Sequence, residues 1–103
     1  MNRQTKGPAR DRIVATLRSV LPDLRRRYGV AELGLFGSRA RGEETPSSDV
    51  DLLVAFDRPI GFFGLVALED ELTRVLGLQV DLVMKDALRA QRGREILAQA
   101  VPV

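Results

Sequence analysis

Cysteine, histidine and tryptophan are all absent from the 103 residues, and the other aromatics are one tyrosine and four phenylalanines. Without cysteine or histidine there is no disulfide, no thiolate or imidazole zinc site, and no Ser/His or Cys/His nucleophile pair. Any chemistry falls to carboxylates, hydroxyls and arginines. Lysine is scarce too, occurring only at Lys6 and Lys85. The thermophile signal is enrichment in lysine and glutamate, so this arginine bias says nothing of heat stability. No apolar run reaches the roughly 20 residues of a membrane span. The opening MNRQTKGPAR lacks the apolar stretch of a signal peptide. An intracellular, cytoplasmic protein without membrane contact is the expectation. The net charge of +2 comes from acidic and basic residues interleaved along the chain, not from a basic stripe. Direct nucleic-acid binding is therefore not expected.

What is there has the length of one domain, with 45% hydrophobic and 29% charged residues, the balance of a globular chain. An acceptor site is then expected on the same small surface as the rest of the chemistry. Residues 1–8 are polar and unpatterned and read as a flexible arm, leaving 9–103 as the domain. Ile13, Val14, Leu17, Val20, Leu21, Leu24 and Tyr28 recur at helical spacing up to Gly29, a helix that Pro22 is expected to kink or break. Arg25, Arg26 and Arg27 read as its solvated face. Val30–Phe36 and Val50–Phe56 are apolar runs bounded by glycine and proline, which predicts two strands. Phe62–Leu76 carries a helical apolar stripe ending at Gly77. Leu78–Met84 predicts a third strand and Leu88–Ala100 a last helix. The order predicts an α/β fold, a small mixed sheet of three or four strands flanked by helices.

The chemistry concentrates in two segments. Asp49 and Asp51 stand at the start of an apolar strand, where alternate side chains share a face about 6.5 Å apart. Like charges that close raise one another's pKa unless a cation compensates, and a hard divalent metal suits them. Asp81 repeats the pattern within Val80-Asp81-Leu82-Val83 and could complete the group from a neighbouring strand. Three carboxylates can hold two ions about 3.5–4 Å apart, the arrangement of phosphoryl and nucleotidyl transfer. Gly37 and Ser38 supply a turn whose amides and hydroxyl suit phosphate oxygens. Arg39 and Arg41 lie just beyond, where they could neutralise a triphosphate. Each feature alone has an ordinary reading: a plain turn, a strand-start cap, an Asp81–arginine pair. Their combination in this order is harder to produce by chance.

Gly37-Ser38, ten residues, then Asp49-Val50-Asp51 matches the GSx10DxD motif of the nucleotidyltransferase superfamily with polymerase β-like folds. Leu35-Phe36-Gly37-Ser38-Arg39-Ala40-Arg41-Gly42, Ser48 to Val54 and Gly77 to Val83 resemble the minimal nucleotidyltransferase (MNT) family from about Leu17 onward. The resemblance implies that Asp49, Asp51 and Asp81 bind two Mg²⁺ ions and that Gly37 and Ser38 hold the nucleotide phosphates. It further implies ATP as substrate and a HEPN-domain RNase toxin as partner, with AMP transferred to a toxin tyrosine and this chain acting as antitoxin, in an oligomer with the toxin. A non-catalytic antitoxin that blocks its toxin sterically is the alternative. Nucleotidyl transfer to a small molecule such as an aminoglycoside fits less well, because such enzymes usually add a second domain for the acceptor.

Overall fold

The computed structural model describes residues 6–88 and 90–103. Helix α1 spans Lys6–Tyr28, so it starts inside the stretch expected to be an arm; residues 1–5 lie outside the described residues. Its buried stripe is Ile13, Val14, Leu17, Leu21 and Leu24, spaced three and four residues apart as a single helix face requires. The helix does not break at Pro22. Pro22 is exposed, and Leu17, Leu21 and Leu24 anchor the face on both sides of it. Proline there removes one N–H, and burial of that stripe outweighs the loss. Gly29 ends α1 at φ 75°, where its N–H reaches Arg25 O at 3.0 Å.

Strand β1 (Val30–Phe36) pairs antiparallel with β2 (Val50–Phe56), and β2 pairs parallel with β3 (Val80–Met84). Parallel neighbours need a crossover, supplied by α3 (Phe62–Leu76). The sheet order is β3-β2-β1-β4, where β4 is the two-residue strand Val101–Pro102 at the far edge. Two further elements complete the chain: a one-turn helix α2 (Ser38–Arg41) after β1, and α4 (Ala90–Gln99). A short 3₁₀ turn at Lys85–Ala87 separates β3 from α4. The third strand and the last helix are thus each shorter than their apolar patterns suggested.

Alternation along the strands sorts the core into two layers. Leu35, Val50, Leu52, Val54 and Val80 pack with Leu17 and Leu24 of α1 and Leu68 and Leu72 of α3. Phe36 and Leu53 face the other way, under Ile96 of α4. The mixed four-stranded sheet flanked by helices agrees with the fold expected. No described helix is long and apolar enough to cross a membrane.

Edge strand β3 is held from outside by α3. Val80 N donates to Thr73 Oγ1 at 3.1 Å, and Leu82 N donates to Glu69 Oε2 at 3.0 Å. These side chains, four residues apart on one helix face, satisfy edge amides that would otherwise invite a foreign strand. Arg27 departs from a merely solvated role, because it pairs with both Asp23 and Glu71 and so joins α1 to α3. The Tyr28 hydroxyl donates to the same Glu71 at 2.9 Å.

Because Pro22 is exposed inside an unbroken helix, Pro22→Ala should restore one backbone hydrogen bond and stabilise the fold by about 1–3 kcal/mol. Urea unfolding checks this; a lower midpoint in the variant would show that proline at this position stabilises the fold.

Candidate active site

The site is built where β1 ends and β2 and β3 begin. Asp51 is paired across the sheet with Phe36 on one side and Asp81 on the other. Asp81 therefore lies beside Asp51 one strand over, and Asp49 precedes it by two residues on the same face, just outside the ladder. The register sets two of the three expected carboxylates, Asp51 and Asp81, side by side. Asp51 is half-buried, and Asp49 and Asp81 are exposed.

Burial pushes the Asp51 carboxyl above its ordinary range, and the charges of Asp81 and Asp49 push it further. Arg41 opposes this only in part. Among the described residues none of the three carboxylates enters an ion pair, so the Asp81–arginine pair considered from sequence is not made. The group is also not a closed cage: among the described residues no three acidic side chains stand close enough together to hold a metal ion. Register fixes Asp51 beside Asp81, while Asp49 lies one residue before β2 and the side chains of Asp49 and Asp81 are exposed. The donor chemistry, three carboxylates on adjoining backbone positions of one sheet face, fits a hard divalent cation.

Gly37 follows Phe36 directly and has φ 78° and ψ −160°, a conformation that side chains strongly disfavour. A Cβ at this position would overlap Asp51 Oδ2. Glycine is therefore required twice over, by the backbone angle and by the carboxylate lying against it. Its carbonyl accepts from Ala40 N at 3.1 Å and Arg41 N at 3.2 Å, starting the α2 turn, of which Ser38 is the first residue. The turn thus lies directly against Asp51.

The two arginines separate. Arg41 is exposed at this end of the sheet, donating to Glu43 Oε1 at 2.8 Å and to Gln99 Oε1 at 3.0 Å. Arg39 is 7% exposed, and its Nε and one terminal nitrogen both donate to Ser48 O, at 3.1 and 2.9 Å. That differs from the expectation for Arg39: two of its three guanidinium nitrogens are engaged inside the fold, on the Ser48 carbonyl. A small residue at position 39 would have been the plain choice for a tight turn, and an arginine between the motif's two halves was the only sequence signal of this contact.

The larger hollows lie elsewhere. A cavity of about 320 Å³ beside Leu33, Gly34 and Leu97 and a hollow of about 550 Å³ beside Phe56, Lys85 and Leu97 include none of the carboxylates. Asp49 and Asp81 are exposed at this end of the sheet, with Asp51 half-buried between the strands.

Comparison with known proteins agrees with this geometry. The family described as the nucleotidyltransferase domain matches residues 17–103. The protein adenylyltransferase MntA of Thermococcus cleftensis is 44% identical over 81 residues, covering 79% of this chain and 82% of that protein. A solved structure classed as a minimal nucleotidyltransferase superposes with a TM-score of 0.75 at 32% identity over the full length of both chains. A toxin–antitoxin crystal structure with AMP-PNP shares the fold at a TM-score of 0.66 and 22% identity, over 90% of this chain and 70% of that one. So does the MNT antitoxin complexed with the tri-AMPylated HEPN toxin of Shewanella oneidensis, at 0.59 and 19%, over 95% and 71%. With nearly the whole domain matched and its acidic strands in the expected register, the chain belongs to the nucleotidyltransferase domain family.

Proposed function

We propose that this nucleotidyltransferase is a protein adenylyltransferase that moves AMP from ATP onto a tyrosine of a cognate HEPN RNase toxin, and that this transfer is how it acts as an antitoxin. The observation that carries the reading is the contact between the Gly37 turn and Asp51, with Asp81 beside it on the next strand and Asp49 two residues before it. A phosphate seated on that turn would lie against the carboxylates. Further support comes from the Thermococcus relative, named for protein adenylylation, and from the fold's occurrence in toxin–antitoxin complexes, one with AMP-PNP and one with an AMPylated HEPN toxin.

In this reading Asp49, Asp51 and Asp81 would hold two Mg²⁺ ions, which when bound neutralise charge on the reacting phosphates. The residues of the chain do the rest. Gly37, bare of a side chain, lets the phosphates approach Asp51, and the Ser38 hydroxyl and turn amides donate to phosphate oxygens. Arg41 offsets negative charge as pyrophosphate forms. Exposed Asp81 accepts the proton of the attacking tyrosine hydroxyl. The hydroxyl oxygen bonds to the α-phosphorus as the bond to pyrophosphate breaks, and the proton passes to the carboxylate. A phenol with a pKa near about 10 is almost wholly protonated at neutral pH, so such a base is needed.

Gly37→Ala places a methyl group against Asp51 Oδ2. It should lower ATP affinity by about 10-fold or more with little change in circular dichroism; calorimetry showing wild-type affinity in a folded variant would reduce Gly37 to an ordinary turn residue.

Asp51→Asn should lose transfer by about 100-fold or more while gaining stability. The sign follows from the raised carboxyl. Asp51 holds its proton more tightly folded than unfolded, where 3.8 is the reference. The folded state is therefore penalised progressively as pH rises from that value through the folded pKa. Asparagine removes that penalty, so the variant should melt above wild type at pH 7 in chelator, the gap closing as pH falls toward 4. Equal melting temperatures across that range would contradict the electrostatic picture.

Asp81→Asn separates catalysis from binding. It keeps size and should leave toxin binding nearly intact, while AMP transfer falls about 10²- to 10⁴-fold. Incubation with a purified HEPN partner and labelled ATP follows label, complex and RNase activity separately. Bound, unlabelled toxin that still cleaves RNA supports transfer; bound, unlabelled toxin that is fully silenced means steric inhibition.

A further inference from the structure

We propose that Arg39 is a positioning residue for Asp49, setting the place of that carboxylate by clamping the Ser48 carbonyl. The inference rests on the reading of Asp49 as a metal ligand, and concerns how the chain holds it. Asp51 and Asp81 sit inside strands, where ladder hydrogen bonds fix their backbone. Asp49 lies one residue before β2, outside the ladder, at the end of the loop running from Gly42. A ligand on a loop end is imprecise unless something else restrains it.

Two contacts do so, one on each side of Asp49. On the C-terminal side Val50 N donates to Gln79 O at 2.8 Å. On the N-terminal side Arg39 brings Nε and a terminal nitrogen onto Ser48 O, the oxygen of the peptide that joins Ser48 to Asp49. Two donors from one rigid plane onto one oxygen fix direction as well as distance, which a lysine ammonium on a flexible stem cannot match. The same loop is tied internally by Ser48 N to Thr45 O at 3.0 Å and by Thr45 N to Ser48 Oγ at 2.9 Å.

The position of the arginine is itself informative. Arg39 is the one buried charged residue among those described, and it makes no ion pair there. Burying a cation without a carboxylate partner is costly, and a neutral residue would do for a plain turn. The clamp gives that cost a purpose: Arg39 follows Ser38 and grips the residue before Asp49, so one side chain locks the phosphate turn and the acidic strand into a common frame.

The test uses the full chain as Arg39→Met and as the milder Arg39→Lys, which keeps the charge but not the fork. Three readouts are taken: amide hydrogen exchange at Ser48 and Val50 without metal, Mn²⁺ affinity without nucleotide, and AMP-PNP affinity in chelator. For Arg39→Met exchange at both amides should quicken about 10-fold with the remaining sheet unchanged, Mn²⁺ affinity should fall about 10-fold, and AMP-PNP affinity should hold within about twofold. Arg39→Lys should fall between, and carries the test if the methionine variant does not fold. Unchanged exchange at Ser48 and Val50 overturns the clamp, and unchanged exchange with AMP-PNP affinity lost assigns Arg39 to phosphate instead. Wild-type protein that binds no Mn²⁺ defeats the metal assignment of the proposed function, while the exchange data still decide the clamp.

Discussion

Asp51 carries a carboxylate into a half-buried place in the sheet, beside Asp81 on the next strand and two residues from Asp49, and among the described residues no cation pairs with any of them. Burial raises the proton affinity of Asp51, and the charges of Asp81 and Asp49 raise it further. A core optimised for stability alone would place an apolar residue at position 51, as it does at Leu53, which faces the same side. Such tolerated strain is the mark of a site selected for chemistry.

The rest of the fold reads as the apparatus that keeps this arrangement in place. Two helices packed on one face bury Leu17, Leu24, Leu68 and Leu72 fully, giving the sheet a rigid back. The side chains Thr73 and Glu69 hold the amides on either side of Asp81, so the edge strand cannot drift from β2. On the other side Gly37 is pressed against Asp51, where no other residue fits. Asp51 and Asp81 thus take their places from neighbours outside the acidic trio, and the proposed Arg39 clamp would do the same for Asp49. That division suits a group whose members repel.

Much of this was legible in the sequence, for identifiable reasons. The spans of β1, β2 and α3 coincide with the apolar runs that glycines and prolines delimit. The acidic face was legible because strand alternation puts Asp49 and Asp51 on one side, whatever the tertiary context. Other features depended on partners far along the chain. The continuity of α1 through Pro22 is decided by burial on both sides, which local propensity does not see. The strand β4 is two residues long, too short for any periodicity, and exists through its pairing with Gly34 and Leu35. Arg39 and Arg41 look alike in sequence, yet one is buried against the loop and the other exposed beside Glu43; only the path of residues 42–49 separates them.

The central proposal is that Asp51, half-buried beside Asp81 and two residues from Asp49, is a ligand of a divalent cation. The most direct measurement is a titration of the Asp51 carboxyl, followed by ¹³C chemical shift in wild-type protein, first in chelator and then with Mg²⁺. The account predicts a midpoint above the ordinary aspartate range in chelator and a fall when Mg²⁺ is added, because the metal favours the charged form. An ordinary midpoint that Mg²⁺ does not move would contradict it.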